Sequence, residues 1–331
     1  MMGMKAEEQF PQTLMEAVQF FSKDDNAFNF MVELRWPNGV CCPRCGGTDT
    51  GFISTRKTWE CHSCTSKKQF SVKVGTIFED SALPIAKWLA AIWMIANAKN
   101  GVSSYEIHRS IGVTQKTAWF MLHRIRLALQ TGSFERLSGD VEGDETYIGG
   151  KAEFKHRDRP RDVGGRNRLI KVTMAGLFQR STENKASRIK IQALDIIRGR
   201  ELFPIILQNV ERGSSIFTDA FRSYRGLHHA YTCDVINHAI SYVQERVHTN
   251  GLENFWSLLK RTLRGTYLSV DPVHLRSYLD EQAFRFNERK DNFAGRFLKA
   301  AKGVIGRRLR CLDLIDGKGA EDLPPQSAKA W

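Results

Sequence analysis

The chain has 331 residues, of which 42% are hydrophobic and 10% are aromatic. This composition is typical of a globular protein of about two domains, and it excludes a disordered or fibrous chain. The 49 Lys and Arg residues against 36 Asp and Glu give a net charge of +13, which favours a polyanionic partner because each basic side chain on a phosphate releases condensed counterions; a solvated basic surface is the alternative.

The N-terminal segment, residues 1–35, is expected to be helical. Its first ten residues lack the basic stretch and apolar core of a secretory signal. The most apolar run, residues 88–96, is shorter than the roughly 18 residues that a membrane-spanning helix requires. We therefore expect a cytoplasmic protein with no membrane partner, whose cysteines bind metal or remain buried thiols instead of forming disulfides.

Residues 36–80 contain two cysteine pairs, and in each pair two residues separate the cysteines. This gap lets both sulfurs of a pair face one ion, and the residues between the pairs suffice for a β-hairpin that brings the pairs together. Four thiolates close a tetrahedral coordination sphere, which predicts structural Zn²⁺ in a zinc ribbon and leaves no open position for catalysis. The predicted ligands are Cys42, Cys45, Cys61 and Cys64.

Alternatives exist for this cysteine set. Cys41 adjoins Cys42 and could replace it, although only Cys42 has the two-residue gap to Cys45. The four could also be buried free thiols, but two correctly spaced pairs favour metal. Trp59 and Phe70 offer the small apolar cover that a zinc ribbon needs.

Residues 81–132 show the layout of a helix-turn-helix. Ser103 and Glu106 have the spacing of a capping box at the start of a short helix. Gly112 follows in the turn, and Thr114 is placed to cap a second, longer helix. In this motif the second helix lies in the major groove of DNA, so we expect DNA contacts from that helix. Any three-helix bundle could show the same caps.

The expected DNA contacts on the second helix are Lys116 near its start and Arg124 further along. Both are cationic, and a cation can bind a phosphate or the acceptors of guanine in the major groove.

Residues 138–295 change from a helical to a mixed pattern. The predicted strands are residues 141–148, 169–178, 188–194, 215–218 and 231–236, and the predicted helices are residues 202–210, 250–261 and 273–287. The succession predicts an α/β domain of the RNase H-like fold. In that fold the first strand and the end of the fourth lie side by side at the centre of the sheet, and a late helix crosses the same edge.

Three acids fall at those places: Asp144, Asp219 and Glu253. Converging carboxylates repel each other unless divalent cations neutralise them, and two Mg²⁺ about 4 Å apart would serve phosphoryl transfer. Each acid has an ordinary alternative: Asp144 in an exposed turn, Asp219 as a helix cap, and Glu253 in a capping box with Asn250. Glu142, on the same strand face as Asp144, could be the ligand instead.

The helix that begins at Asn250 has two predicted faces. One is apolar, with Leu252, Phe255, Trp256 and Leu259 at helical spacing. The other is polar and carries Glu253, Ser257, Lys260 and Arg264. We expect Lys260 and Arg264 to bind DNA phosphates beside the acids.

Longer motifs point to one family. They are residues 35–39 before the first cysteine pair, 70–78, 144–151, 218–219, 248–256 and 259–261. On these motifs the chain resembles the zinc-ribbon insertion-sequence transposases with an ISXO-type (ISXO-two-like) DDE catalytic domain. The resemblance extends over roughly residues 25 to 290 with few gaps.

The resemblance implies a DNA transposase that cuts at element ends and joins the 3′ hydroxyls to target DNA. It implies Mg²⁺ (or Mn²⁺) at Asp144, Asp219 and Glu253, and a homo-oligomer bound to double-stranded DNA, both element ends and target, in the bacterial cytoplasm or nucleoid. Some relatives use Asn in place of the third acid, and Asn250 lies one turn from Glu253. His248 and Asn250 are expected to orient the site or its metal-bound waters.

Two basic segments complete the chain. Residues 151–171 are expected to form either a solvated loop or a mobile hairpin that grips the DNA backbone. Residues 296–331 are expected to be a basic C-terminal tail with little structure after Arg310.

Two other functions fit part of the sequence. One is a zinc-ribbon and helix-turn-helix regulator derived from a transposase, which leaves the three acids unused, and the other is an RNase H-like nuclease.

Overall fold

A computed structural model describes residues 10–130, 135–148, 172–183, 185–194, 199–219, 231–236, 249–268 and 270–315. The chain divides into two compact units. Unit 1 combines residues 1–131 with residues 291–331, and unit 2 comprises residues 132–290. Within the described ranges, no helix is both long and apolar enough to cross a bilayer.

The helices of the described chain are α1 Leu14–Ser22, α2 Asp24–Arg35, α3 Ile85–Asn97, α4 Ser104–Ile111, α5 Gln115–Leu129, α6 Gly199–Asn209, α7 Asn250–Gly265, α8 Leu275–Asn287, α9 Phe293–Lys302 and α10 Cys311–Ile315. The strands are β1 Thr50–Ile53, β2 Thr58–Cys61, β3 Gln69–Ser71, β4 Asp140–Ile148, β5 Val172–Gln179, β6 Arg188–Leu194, β7 Ser215–Asp219 and β8 Thr232–Ile236. Short 3₁₀ turns, Ser54–Arg56 and Pro272–His274, precede β2 and α8.

The first sheet belongs to unit 1. Strands β1 and β2 lead from the first cysteine pair to the second, and β3 follows the second pair. Strands β1, β2 and β3 are antiparallel in that order. Trp59 on β2 is buried and stacks on Phe70 of β3, with ring centroids 6.0 Å apart. The predicted apolar cover of the ribbon is therefore present, and the stacked pair ties the strands together across the sheet.

Helix α4 begins and ends, and helix α5 begins, at the residues that the sequence predicts. Ser103 and Glu106 form a capping box at the start of α4, and Gly112 ends this helix in the left-handed conformation with φ 62°. Thr114 caps α5 by accepting a hydrogen bond from the backbone N–H of Thr117. The short helix, glycine turn and longer helix are thus present in the predicted order.

The C-terminal part of unit 1 differs from the basic tail predicted for residues 296–331. Phe297 on α9 is fully buried, and its ring lies 4.9 Å from that of Trp93 and 5.6 Å from that of Phe21. Leu314 on α10 is buried in a cluster with Leu127. Charge density suggested a tail, but the apolar residues between the basic ones pack into the core of unit 1, at least as far as residue 315. The other predicted boundaries within this unit (residues 35/36 and 80/81) remain a prediction.

Unit 2 is a mixed α/β layer structure around a five-stranded sheet. The strand order is β6-β5-β4-β7-β8; β4 is antiparallel to β5 and parallel to β7, β5 is antiparallel to β6, and β7 is parallel to β8. The start of β4 and the bounds of β6 to β8 lie within one residue of the prediction. For β5, the end lies within one residue of the prediction, and the predicted residues 169–171 lie outside the described residues.

Both faces of this sheet are covered by helices. Ala175 and Leu177 of β5 belong to a core cluster with α6, while Met174 and Phe178 belong to a second cluster with α7 and α8. Alternate residues of a strand point to opposite faces. A strand covered on both sides is apolar throughout, which explains the continuous hydrophobic sequence of β5.

Candidate active site and zinc site

The centre of the unit 2 sheet brings two of the predicted acids to neighbouring strands. In the parallel pairing of β4 with β7, Gly143 lies opposite Thr218. Asp144 and Asp219 each follow these partners by one residue, so their backbones are adjacent at the carboxyl end of β7. The side chain of Asp219 lies outside the described part of the structure.

Helix α7 docks on β4 through a buried carboxylate that replaces the usual helix cap. Thr249 precedes the helix and makes no side-chain capping hydrogen bond. Instead, the backbone N–H of Leu252 donates to Oε2 of Glu142 at 3.0 Å. A carboxylate at this position satisfies an unpaired N–H of the first turn and is stabilised by the helix dipole.

Close approach at this contact requires a glycine. A Cβ built on Gly251 would lie 2.8 Å from Oε2 of Glu142 and 2.7 Å from Cδ1 of Phe178. Both distances are shorter than an ordinary van der Waals contact. The glycine of the motif at residues 248–256 therefore allows α7 to reach the sheet.

The other carboxylate oxygen of Glu142 binds Arg180, which follows β5. The Arg180 Nε donates to Oε1 at 2.8 Å, and the side chains are only 15% and 1% exposed. The guanidinium also lies 4.3 Å from the ring centroid of Phe217 on β7. Glu142 is thus held by a buried ion pair and a helix N-terminus, which argues against its alternative assignment as a metal ligand. Sequence spacing alone could not separate it from Asp144, because both point to one strand face.

Asp144 is less buried than Glu142, and donors hold both of its carboxylate oxygens. The backbone N–H of Glu145 donates to Oδ1 at 2.8 Å, and Nε1 of Trp256 donates to Oδ2 at 2.9 Å. Each oxygen of the Asp144 carboxylate is thus held by a hydrogen-bond donor, one from the backbone and one from α7. The role of Trp256 as a donor was missed by sequence reasoning, which placed it on the apolar face of the helix only.

Asp144 and Glu253 line one cleft of about 810 Å³ in unit 2. The predicted polar face of α7 is confirmed there, because Ser257, Lys260 and Arg264 line the same cleft. The full lining is Asp144, Glu145, Thr146, Glu253, Trp256, Ser257, Lys260, Arg261, Arg264 and Gly265. The cleft therefore combines acids with three cations on a single helix.

The predicted apolar face of α7 is also confirmed. Its residues are 4% exposed or less and pack on the sheet: Leu252, Phe255, Trp256 and Leu259.

Glu253 is exposed, and its Oε1 accepts a hydrogen bond of 3.3 Å from the hydroxyl of Thr249. The capping box with Asn250 considered from sequence does not form, because Thr249 and not Asn250 is the cap residue. Asn250 is exposed and does not line the cleft. His248 and residues 151–171 lie outside the described residues.

The four predicted zinc ligands form one cluster. The ligand atoms of Cys42, Cys45, Cys61 and Cys64 all lie within 4.8 Å of one another. Within the described ranges, no other group of three or more His, Cys, Asp or Glu residues could hold a metal ion.

The other three thiols of the cluster disfavour ionisation of the Cys64 thiol when no cation lies between them. Hydrogen bonding to Cys45, the largest of several effects, raises the pKa of the Cys64 thiol to about 12. A cation at the centre would favour thiolates instead. Cys41 lies outside the cluster, which supports the choice of Cys42 as the ligand. Burial raises the pKa of the Cys41 thiol.

The two predicted DNA contacts on α5 have different surroundings. Lys116 is exposed at the start of the helix. Arg124 is only 5% exposed, and its guanidinium donates to the carbonyl oxygens of Ile77 at 2.8 Å, Glu79 at 2.9 Å and Leu309 at 2.9 Å. Arg124 is therefore a structural residue of unit 1, and the prediction that it contacts DNA does not agree with its position. Burial also lowers the pKa of this guanidinium.

Comparison with known proteins gives two family matches. Residues 136–287 match a model described as an ISXO2-like transposase domain, and residues 22–67 match one described as a transposase zinc-ribbon domain. The chain is 26% identical over 283 residues to a protein in transposable element ISH50 of Halobacterium salinarum, an alignment that covers 82% of this chain and 95% of the relative. It is 34% identical over 92 residues to a transposase-like protein of Haemophilus influenzae, covering 28% of this chain and 74% of the relative.

Proposed function

The chain belongs to the transposases that join a zinc ribbon to an ISXO2-like domain, and we propose that it cleaves and joins DNA by metal-dependent phosphoryl transfer at Asp144, Asp219 and Glu253. The observation that carries the proposal is the cleft in which Asp144 and Glu253 lie beside Lys260 and Arg264. Register places the backbone of Asp219 next to Asp144. The sheet order, in which β7 and β8 extend the three-stranded antiparallel meander β4-β5-β6 as strands parallel to β4, supports an RNase H-like fold for unit 2.

The acids of the cleft fit divalent cations by their chemistry. Carboxylate oxygens are the ligand atoms that Mg²⁺ and Mn²⁺ prefer, and the carboxylates of Asp144 and Glu253 line one cleft. Asp144, Asp219 and Glu253 would hold the ions. When bound, a pair of Mg²⁺ activates the attacking oxygen and stabilises the leaving oxygen.

The cations of the cleft would hold the DNA backbone. Lys260 and Arg264 lie on the face of α7 that carries Glu253, so a phosphate bound by them is brought to the acids. Charged hydrogen bonds of this kind position a strand without reading its sequence. The positive cleft wall also offsets the negative charge that three carboxylates would present to DNA.

DNA reading is assigned to unit 1. A helix-turn-helix formed by α4 and α5 would place Lys116 in the major groove, supported by the exposure of that side chain and by the two capped helices. We propose that the protein acts on double-stranded DNA in the cytoplasm. Two copies at least would be needed to hold two element ends together, so we also propose a homo-oligomer on DNA.

The test is strand transfer with DNA that carries the ends of the insertion sequence, identified as inverted repeats flanking the gene. Asp144→Asn, Asp219→Asn and Glu253→Gln should each lower strand transfer by orders of magnitude in Mg²⁺ or Mn²⁺. The control is Glu211→Gln, which removes one exposed carboxylate of the same unit outside the cleft. If the three variants retain the strand-transfer activity of the control, these acids are not the catalytic groups and the proposed site fails. If the wild type itself shows no strand transfer in either metal, the protein is a DNA-binding regulator and the catalytic proposal fails.

A further inference from the structure

One helix, α7, contacts two of the proposed catalytic acids. It carries Glu253 itself, and one turn later it carries Trp256, whose indole N–H donates to Oδ2 of Asp144 at 2.9 Å. Trp256 is 4% exposed, and a buried indole N–H requires an acceptor. Here that acceptor is the Asp144 carboxylate, which lines the cleft.

The strand next to Asp144 is shaped to receive the indole. Gly176 on β5 lies directly opposite Asp144 in the antiparallel register. A Cβ on Gly176 would lie 2.6 Å from a ring atom of Trp256, so the ring occupies the space where any other residue would place its side chain. Phe255 contacts the indole edge-on at 5.4 Å between centroids. The orientation of the N–H is therefore fixed by packing on the sheet.

The Trp256 indole N–H fixes Oδ2 of Asp144, and a backbone N–H fixes Oδ1. The N–H of Glu145 donates to Oδ1 at 2.8 Å. With a donor on each oxygen, the carboxylate cannot rotate about its Cβ–Cγ bond without losing a hydrogen bond. A ligand held in this way keeps its remaining lone pairs aimed in one direction, which favours metal binding at a defined position.

We propose that Trp256 is a positioning residue, whose indole N–H orients Asp144 for divalent metal and couples its position to that of Glu253 through α7. The inference rests on the proposed function, since it concerns the metal that the three acids would bind. It assigns to Trp256 a role beyond the hydrophobic core. Removal of the N–H should therefore weaken metal binding while the core is kept.

The experiment compares two Trp→Phe substitutions in the zinc-loaded full-length protein. Trp256→Phe keeps an aromatic ring but removes the donor to Asp144. Trp88→Phe is the control, because Trp88 is 1% exposed and its Nε1 donates to the Ser81 hydroxyl at 3.2 Å in unit 1. Mn²⁺ binding is followed by electron paramagnetic resonance of the free ion, and strand transfer is measured as a function of Mn²⁺ concentration.

Trp256→Phe should weaken Mn²⁺ binding by about tenfold or more, the usual effect of losing a partner of a metal ligand. Strand transfer should need correspondingly more Mn²⁺, and Trp88→Phe should change neither quantity. Wild-type affinity for Mn²⁺ in Trp256→Phe, together with loss of binding in Asp144→Asn, would overturn the inference and leave the proposed function intact. If Asp144→Asn binds Mn²⁺ as the wild type does, the proposed function fails as well.

A second measurement uses the wild-type protein, so that it does not depend on the folding of a variant. Of the 7 Trp residues, Trp256 is the only one in the sequence of unit 2. In protein labelled with ¹⁵N at the indoles, addition of Mg²⁺ should shift one indole N–H resonance and leave the others in place. If Mg²⁺ binds by calorimetry and no indole resonance moves, the inference is overturned.

Discussion

Replacement of Gly251 by Ala changes both helix propensity and packing. The two effects predict opposite changes in the free energy of unfolding. Within a helix, Ala is favoured over Gly by about 1 kcal/mol. At Gly251, however, two atoms of the Phe178 ring would lie within 2.7 Å of the new Cβ, and Oε2 of Glu142 would lie 2.8 Å from it. Ordinary contacts begin at 3.4 Å, so α7 or its neighbours must move by more than 0.7 Å, and by about 1 Å at the nearest ring atom. Both neighbours are buried and cannot easily give way.

Overpacking of this kind costs about 1–3 kcal/mol, which exceeds the gain in propensity. Gly251→Ala should therefore lower the free energy of unfolding of unit 2. For a domain of this size, each 1 kcal/mol corresponds to about 2–4 °C in melting temperature. Because α7 carries Glu253, the same shift should lower strand transfer by about 100-fold, as expected for a displacement of roughly 1 Å at a catalytic group.

The control lies on the same helix. A Cβ on Gly265, at the end of α7, would meet no atom within 4 Å, so Gly265→Ala should be neutral or should raise the melting temperature. Thermal unfolding followed by circular dichroism, with and without DNA, measures both variants. Equal stability of Gly251→Ala and Gly265→Ala would refute the close contact between α7 and Glu142.

Three further predictions test separate parts of the molecule. Cys42→Ser should reduce the zinc content from about one ion per chain towards none, measured by mass spectrometry, and zinc retained in full would contradict the four-cysteine site. Asp219→Asn should abolish strand transfer while DNA binding persists, and Ca²⁺ should support DNA binding without strand transfer in the wild type. DNA binding is measured by gel shift and strand transfer by a joining assay, both at fixed salt. Strand transfer by Asp219→Asn at the wild-type rate would remove Asp219 from the site. Lys116→Ala should weaken binding to element ends more than to random DNA and leave stability unchanged. Arg124→Ala should instead lower the free energy of unfolding by about 3 kcal/mol, because it leaves buried carbonyls unpaired. Weaker DNA binding by Arg124→Ala at unchanged stability would restore Arg124 as a DNA contact.

Local patterns in the sequence predicted the elements well because those patterns depend on near neighbours. The two faces of α7 follow from helical spacing alone, and the capping box of α4 needs only Ser103 and Glu106. The cysteine cluster likewise follows from two short gaps and one hairpin. Each of these inferences concerns residues that lie close together in the chain.

Contacts between distant segments could not be predicted in this way. Arg124 resembles a DNA-binding residue in its helix, but its partners Ile77 and Leu309 are far from it in sequence. Glu142 and Asp144 are equivalent by strand alternation, and the contacts of Glu142 with Arg180 and with the Leu252 N–H distinguish them. For the same reason, the sequence could not indicate that an apolar helix side chain, Trp256, binds a carboxylate.

Unit 1 is built from both ends of the chain, which has a consequence for synthesis. Residues 1–131 leave the ribosome before unit 2, but α9 follows it. At about 5–20 residues per second, translation of unit 2 takes on the order of 10–30 s. During that interval the Trp93 surface that Phe297 covers is open to solvent or chaperones. An element copy with a frameshift or stop codon in unit 2 would never cover this surface, so decayed copies should yield unstable fragments instead of competing DNA-binding proteins.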